Sequence, residues 1–338
     1  MMRILVFEPN WLGDVIFTTP AFKAIKNNFK DCFIGCVVSK SCAGVLHNNP
    51  FVDEIIEFNE RGEDRSLRKK ILFIQKLKSK KYDMVILLHR SFTRALLMFL
   101  AGIKIRIGYA SKKRSCLLTK KIPPLNINII HKQDYYLRIL EKTGIKVEDK
   151  NCQAYPSLKE KNWADNILKE RACGFDYLIA INPSTNWPPK NWPVQYFEKL
   201  INILQGELKN IRFFLTSKGG QKKLLPLIEK NKEILADLTG KTSLLELAAL
   251  YEKMDLVISG DSGPLHLAGA VNTKYLGLYG PTNPLFTGVR AKPLGCIIFK
   301  NDFCPTPCYV KNCRKDFLCM KVIKPQEAAR VALELLKH

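Results

Sequence analysis

The sequence predicts an α/β protein made of two doubly wound parallel sheets. Three observations carry that expectation. At 338 residues the chain is long for one core and suits two domains. Short apolar runs of strand length alternate with amphipathic stretches of helix length, and they do so in both halves. The turn-rich segments that break this rhythm follow directly after strand-like runs, where open α/β sheets place their ligands.

The elements follow in order. Arg3-Ile4-Leu5-Val6-Phe7 opens the chain as a strand, and further strands are expected over 33–38, 54–58, 83–88 and 104–109. Helices are expected over 14–29, 66–79, 92–101 and 131–143. Apolar runs separated by helical periods indicate parallel sheet covered on both faces. The second half repeats the pattern, with strands over 177–182, 211–216, 234–238, 256–259 and 275–279 and helices over 193–205, 221–230, 243–253 and 264–270. The boundary belongs in the polar stretch 148–161 or just after a helix over 162–170, which gives domains 1–160 and 161–338. A last helix over 325–337 begins with Pro325, a residue suited to a helix start. Its stripe of Ala328, Val331, Ala332 and Leu335 needs a packing partner, with the first domain as one candidate.

Hydrophobic residues make up 46% and charged residues 25%, the profile of a globular protein. No apolar run approaches the roughly 18 residues that span a bilayer. The longest, 95–103, suits a buried helix. The N-terminus runs straight into a strand and lacks the parts of a signal peptide, so a cytoplasmic protein is expected. Cys32, Cys36, Cys42, Cys116, Cys152, Cys173 and Cys296 are scattered and expected to be reduced. The net charge of +23 calls for an acidic partner. From Arg65 to Lys132 eighteen Lys or Arg face a single acid, Asp83. That run is either a solvated lysine-rich surface or a basic face for an anionic ligand. No recognition-helix, RNA-recognition or zinc-finger pattern accompanies it, so no nucleic-acid partner is expected.

Four segments carry chemistry. Pro9-Asn10-Trp11-Leu12-Gly13-Asp14 follows the first strand. Gly13 permits a tight turn or a close approach to a ligand. Asp14 is either a helix N-cap or a general base for an attacking hydroxyl. The loop 182–193 contains Ser184, Thr185 and Lys190, the hydroxyls and cation that a phosphate needs, though an ordinary loop into the next helix fits as well. Ser259-Gly260-Asp261-Ser262-Gly263-Pro264-Leu265-His266 joins a strand to a helix whose N-terminus could take a diphosphate. His266 reads as a core or capping histidine or as a site residue, and the turn Tyr279–Pro284 as a plain turn or as part of the same edge. Finally, Cys304, Cys308, Cys313 and Cys319 are a candidate structural zinc site, with free thiols or a disulfide pair as alternatives. No histidine lies among them, so a catalytic zinc is not expected.

With these residues the chain resembles the ADP-heptose:lipopolysaccharide heptosyltransferases of glycosyltransferase family 9, almost from end to end. Asn10-Trp11-Leu12-Gly13-Asp14 with Thr18-Thr19-Pro20-Ala21 resembles the family's N-terminal signature, in the form of its heptosyltransferase II branch. Asn182-Pro183-Ser184 with Lys190-Asn191-Trp192-Pro193 resembles the donor-phosphate loop. The segments 244–249, 261–268 and 279–282 resemble the most diagnostic block. The resemblance implies a GT-B fold with the two domains facing a cleft and inverting, metal-independent transfer of heptose from ADP-heptose to the lipopolysaccharide inner core. It requires no cofactor beyond the candidate zinc. The first domain would bind the acceptor and the second the donor. Asp14 would be the base. Gly13, Ser184, Thr185, Lys190, Asp261, Ser262, Gly263, Pro264 and His266 would line the donor. Asn10, Trp11, Ser91 and Arg94 would face an anionic glycolipid at the cytoplasmic face of the inner membrane. The loop 217–222 departs from the family in lacking an acid toward the nucleoside. A transferase with another nucleotide-sugar or envelope acceptor, a nucleic-acid binder and a non-catalytic scaffold are the rival expectations.

Overall fold

The computed structural model describes the chain except for residues 61, 112, 220–221, 291–293 and 338. The predicted start of a helix at Gln221, part of the loop 217–222 and Lys112 of the basic run therefore lie outside the described residues. The chain divides into two compact units, Met1–Tyr155 and Pro156–His338. This division lies in the expected polar stretch 148–161, a few residues before the position 160, which falls inside a helix. Ser157 caps that helix and Glu160 completes a capping box with it, so this turn belongs to the second unit.

The first unit runs β1 (Arg3–Phe7), α1 (Leu12–Asn28), β2 (Phe33–Val38), α2 (Lys40–Ala43), β3 (Glu54–Glu57), α3 (Leu67–Lys80), β4 (Met84–Leu87), α4 (Phe92–Leu100), β5 (Ile105–Tyr109), β6 (Lys120–Ile122) and α5 (Lys132–Glu141). Its six parallel strands lie in the order β3-β2-β1-β4-β5-β6. The winding reverses between β1 and β4, which makes their carboxyl ends the switch point where such sheets bind ligands. The loops 8–11 and 88–91 sit there.

The second unit runs α6 (Leu158–Arg171), β7 (Tyr177–Asn182), α7 (Val194–Glu207), β8 (Ile211–Leu215), α8 (Leu225–Lys230), β9 (Leu235–Asp237), α9 (Leu244–Tyr251), β10 (Leu256–Gly260), α10 (Gly263–Ala270), β11 (Tyr275–Tyr279), α11 (Pro284–Thr287), β12 (Gly295–Phe299), α12 (Leu318–Lys321) and α13 (Pro325–Lys337). Its parallel order is β12-β11-β10-β7-β8-β9, so the switch point lies between β7 and β10. The loops 183–193 and 261–262 leave from those two strands.

Two edge strands escape the sequence pattern. β6 has three residues and two exposed lysines, the charged edge that discourages pairing with another chain. β12 is only half buried because one side of it has no neighbouring strand. The stripe of α13 packs within its own unit, against α7 and the strands β10, β11 and β12. Pro20 sits inside α1 and cannot donate to the carbonyl of Ile16. Thr19 does so instead, its hydroxyl lying 2.8 Å from Ile16 O, so the helix continues through the proline.

Candidate active-site residues in the two units

In the first unit α1 begins at Leu12, and its N-cap is Trp11, whose exposed side chain makes no capping bond. Asp14 is therefore not the cap. It lies in the first helical turn, 7% exposed, with its carboxylate turned to α5. Lys132 Nζ donates to Asp14 Oδ1 at 3.0 Å. The Tyr136 hydroxyl, one helical turn further along α5, bonds to Asp14 as well. Burial first and the charge of Asp14 second push Tyr136 well above the ordinary tyrosine range, so it stays a proton donor to Asp14. A carboxylate held by two donors at a strand's carboxyl end is fixed in position to accept one more proton.

Arg94 takes a different part from the one expected. It is 2% exposed, and its guanidinium is engaged inside the unit rather than presented to a ligand. Nη1 donates to Glu8 O at 2.5 Å, Nε donates to Glu60 Oε2 at 3.0 Å, and Nη2 donates to Asn10 Oδ1. It thus ties down the loop between β1 and α1 that presents Trp11 and Asp14. Ser91 caps α4 by accepting from Arg94 N and also reaches Glu60. Asn10 and Trp11 remain at the rim of the loop, half-buried and exposed.

Glu8 was not anticipated. It directly follows β1, has no exposed surface, and burial pushes its carboxyl up to about 8 despite the hydrogen bond from Thr18 and the charge of Arg94. Thr18 Oγ1 donates to Glu8 Oε2 and also lies 2.7 Å from Val15 O. Between an unfolded value of 4.5 and a folded value of about 8, the folded protein keeps a proton that the unfolded chain has released. Stability therefore falls as pH rises through that window, by on the order of 1 kcal/mol per pH unit. Glu8→Gln is expected to flatten the curve in urea unfolding across this range. An unchanged slope in the variant would mean that Glu8 is ionised in the fold.

In the second unit Lys190 and Asp261 form the centre. Lys190 Nζ donates to Asp261 Oδ2 at 2.5 Å, and Thr282 Oγ1 donates to the same oxygen at 2.6 Å. Thr287 Oγ1 lies 3.4 Å from it, and His266 Nε2 lies 3.5 Å from Oδ1. Burial works to raise the Asp261 carboxyl, but Lys190 and His266 outweigh it and hold the group well below the usual carboxylate range. An anion so placed would repel a phosphate. Asp261 is placed to position Lys190, Thr282 and His266. What can meet a phosphate is the cation of Lys190 and the N-terminus of α10. Ser262 is its N-cap and makes no side-chain cap bond, Gly263 opens the helix, and Pro264 has no N–H to give. The Ser262 hydroxyl pairs with Ser259 at 2.9 Å.

Thr185 and Ser184 shape the neighbouring loop. Thr185 Oγ1 donates to Trp187 O at 2.6 Å, Thr185 N donates to Asn191 Oδ1 at 2.8 Å, and Ser184 N donates to Asn182 Oδ1 at 3.4 Å. Trp192 of the same motif is core, 1% exposed, with its Nε1 donating to Ile323 O ahead of α13. The loop lies against β10: a Cβ on Gly260 would come 2.9 Å from Lys190 O. Gly260→Ala is thus expected to push this loop outward and raise the donor KM by about tenfold, with kcat less affected. Steady-state kinetics in donor concentration would show it, and an unchanged KM would free the loop from donor binding.

The four clustered cysteines are half-buried free thiols. Burial first and the neighbouring Cys313, Cys304 and Cys308 next push Cys319 up to about 11. Among the described residues no group of three or more metal-ligating side chains is placed to hold an ion. The segment is docked on the loop after β11 instead. Cys308 N donates to Pro281 O at 2.7 Å and Asn301 Nδ2 to Gly280 O at 3.1 Å. A Cβ on Gly280 would meet Met320 Sδ at 2.5 Å.

Comparison with known proteins places these residues in context. The model of glycosyltransferase family 9 (heptosyltransferase) matches residues 71–318. A lipooligosaccharide heptosyltransferase 2 of Haemophilus influenzae is 28% identical over 85% of this chain and 85% of its own length. A lipopolysaccharide heptosyltransferase 2 of Escherichia coli is 26% identical over 85% of each. Among solved structures, a family 9 glycosyltransferase from Veillonella parvula aligns with a TM-score of 0.86 at 23% identity, covering 99% of this chain and 97% of that one. The E. coli ADP-heptose heptosyltransferase II aligns at 0.80 with 24% identity over 99% of both. The two parallel six-stranded sheets match the GT-B fold of these structures.

Proposed function

Since the chain belongs to glycosyltransferase family 9, we propose that it moves a heptose from ADP-heptose to the inner core of lipopolysaccharide at the cytoplasmic face of the membrane. It is a glycosyltransferase. The observation that carries the finer reading is the set of relatives named heptosyltransferase 2, which align over about 85% of the chain.

The chemistry divides by unit. A sugar hydroxyl is a poor nucleophile at neutral pH. Asp14 takes its proton as the oxygen attacks the anomeric carbon, and the bond from that carbon to the donor diphosphate breaks. A single displacement inverts the anomeric configuration. Negative charge grows on the leaving ADP, and Lys190 with the N-terminus of α10 meets it. Asp261 holds the lysine in place through the 2.5 Å ion pair, and Thr282 braces the same oxygen. The acceptor's phosphates and sugar acids suit a chain of net charge +23.

The test is incubation with ADP-heptose and a heptose-bearing lipid A inner-core acceptor in the presence of EDTA, reading ADP release and product mass. Acceptor-dependent ADP release with a gain of one heptose supports the proposal. Turnover with a different nucleotide-sugar alone would move the donor assignment. Silence with every donor, in folded protein, would overturn the transferase reading.

A further inference from the structure

The run 95–103 reads in sequence as a buried helix, and half of that reading fails. α4 buries Arg94, Ala95, Leu97 and Met98, yet its outer side is also apolar. Phe92, Leu96, Phe99 and Leu100 recur at helical spacing along it, and Phe92, Phe99 and Leu100 are 45%, 49% and 45% exposed. No charged residue lies on that stripe. A second, exposed apolar face on a helix belongs inside a protein or against another apolar phase. The helix packed beside it, α3, exposes Leu67, Ile71 and Leu72 as well.

The surroundings are basic. Along α3 the exposed residues include Arg68, Lys69, Lys76 and Lys78, and exposed Lys104 lies four residues beyond the end of α4. The Arg106 guanidinium sits 5.3 Å from the centre of the Phe99 ring. Exposed aromatic and aliphatic side chains set among lysines and arginines are what an anionic lipid surface accepts: the rings enter the headgroup boundary and the cations meet its charge. An acidic protein would meet the cations but offers the apolar stripe no phase to enter.

The stripe is also tied to the acceptor side. It begins at Phe92, two residues before Arg94, which holds Asn10 in the loop that leads to Asp14. A glycolipid whose acyl chains stay in the bilayer can present its sugars to that loop only if this rim rests near the headgroups.

We propose that the outer faces of α3 and α4 form the surface by which the protein docks on an anionic membrane, with Phe99 and Leu100 as the inserting side chains. The proposal rests on the reading of the acceptor as a membrane-anchored glycolipid. The test is co-sedimentation of the full chain with vesicles of phosphatidylcholine alone or mixed with phosphatidylglycerol. Wild type is expected to bind the mixed vesicles, and added salt is expected to weaken binding. F99D/L100D is expected to bind about tenfold less or weaker. Its transfer to a detergent-dispersed acceptor stays at the wild-type rate, while transfer to a vesicle-embedded acceptor falls with binding. Equal vesicle binding by wild type and F99D/L100D overturns the proposal. So does a wild-type dimer in sedimentation that this variant dissociates, which would assign the stripe to a second copy of the chain. If F99D/L100D does not melt cooperatively, K69E/K104E serves in its place, and undiminished binding to the anionic vesicles by that variant overturns the proposal equally. Failure of the heptose reading is separate: no variant then transfers heptose to either form of acceptor, whatever the vesicles show.

Discussion

Asp14→Asn is expected to remove transfer while leaving the fold in place. Asparagine has the same shape, and its amide oxygen can still accept from Lys132, one of the two groups that hold Asp14 now. What it lacks is the capacity to take a proton. The loss should therefore appear in kcat, by about 10²- to 10⁴-fold, the range of general base catalysis. The KM for both substrates should change little. The Lys132–Asp14 pair is partly exposed on the lysine side, so its weakening is worth about 1 kcal/mol at most. A kinetic comparison alongside a urea melt would separate the two effects. Turnover within tenfold of wild type would place the base elsewhere. Lys132→Met provides a second reading of the same site. It removes a positioning cation and keeps the carboxylate, so its kcat should fall less than that of Asp14→Asn.

The two units show what a sequence can reveal and what it withholds. Strand positions follow from local pattern: runs such as Ile4–Phe7 and Leu256–Ser259 are buried on both faces and leave no alternation. The residues Asp14, Lys190 and Asp261 were legible because each follows a strand-like run closely, at a position where the fold class itself puts ligands. Their partners were not. Lys132 stands 118 residues from Asp14, and Arg94 stands 86 from the Glu8 carbonyl that it holds. Contacts at that separation depend on which helices pack together, which periodicity does not state. Only a faint local signal existed, since Lys132 and Tyr136 lie four apart and share a face of α5. Glu8 was hidden for another reason. An acid just after a strand looks like a solvated turn residue, and only the packing of Thr18 and the neighbouring chain shows it to be buried. Arg94 was misassigned by the same blindness: its charge suggested a ligand, and its burial shows an internal tie.

Lys190→Ala is expected to damage turnover and stability together, and the two losses can be pulled apart. Asp261 is 4% exposed and is paired with Lys190 at 2.5 Å. Removing the lysine leaves a buried carboxylate without its cation, a change that costs on the order of 3 kcal/mol, moderated here by the bonds from Thr282 and Thr287. The same change removes the charge assigned to the leaving diphosphate, and transfer should fall about 10²- to 10³-fold. A single variant cannot say which loss causes the other. The double variant K190M/D261N can, because it removes the stranded anion as well as the cation. Its melting temperature should return most of the way to wild type, since an amide at 261 can still accept from Thr282 without carrying charge. Its turnover should remain as low as that of Lys190→Ala, because nothing has replaced the cation at the phosphate. D261N alone keeps the lysine but frees it from its anchor, so it should raise the donor KM more than it lowers kcat. If K190M/D261N recovered turnover along with stability, Lys190 would be a structural partner of Asp261, and the leaving diphosphate would have to be met by the N-terminus of α10 alone.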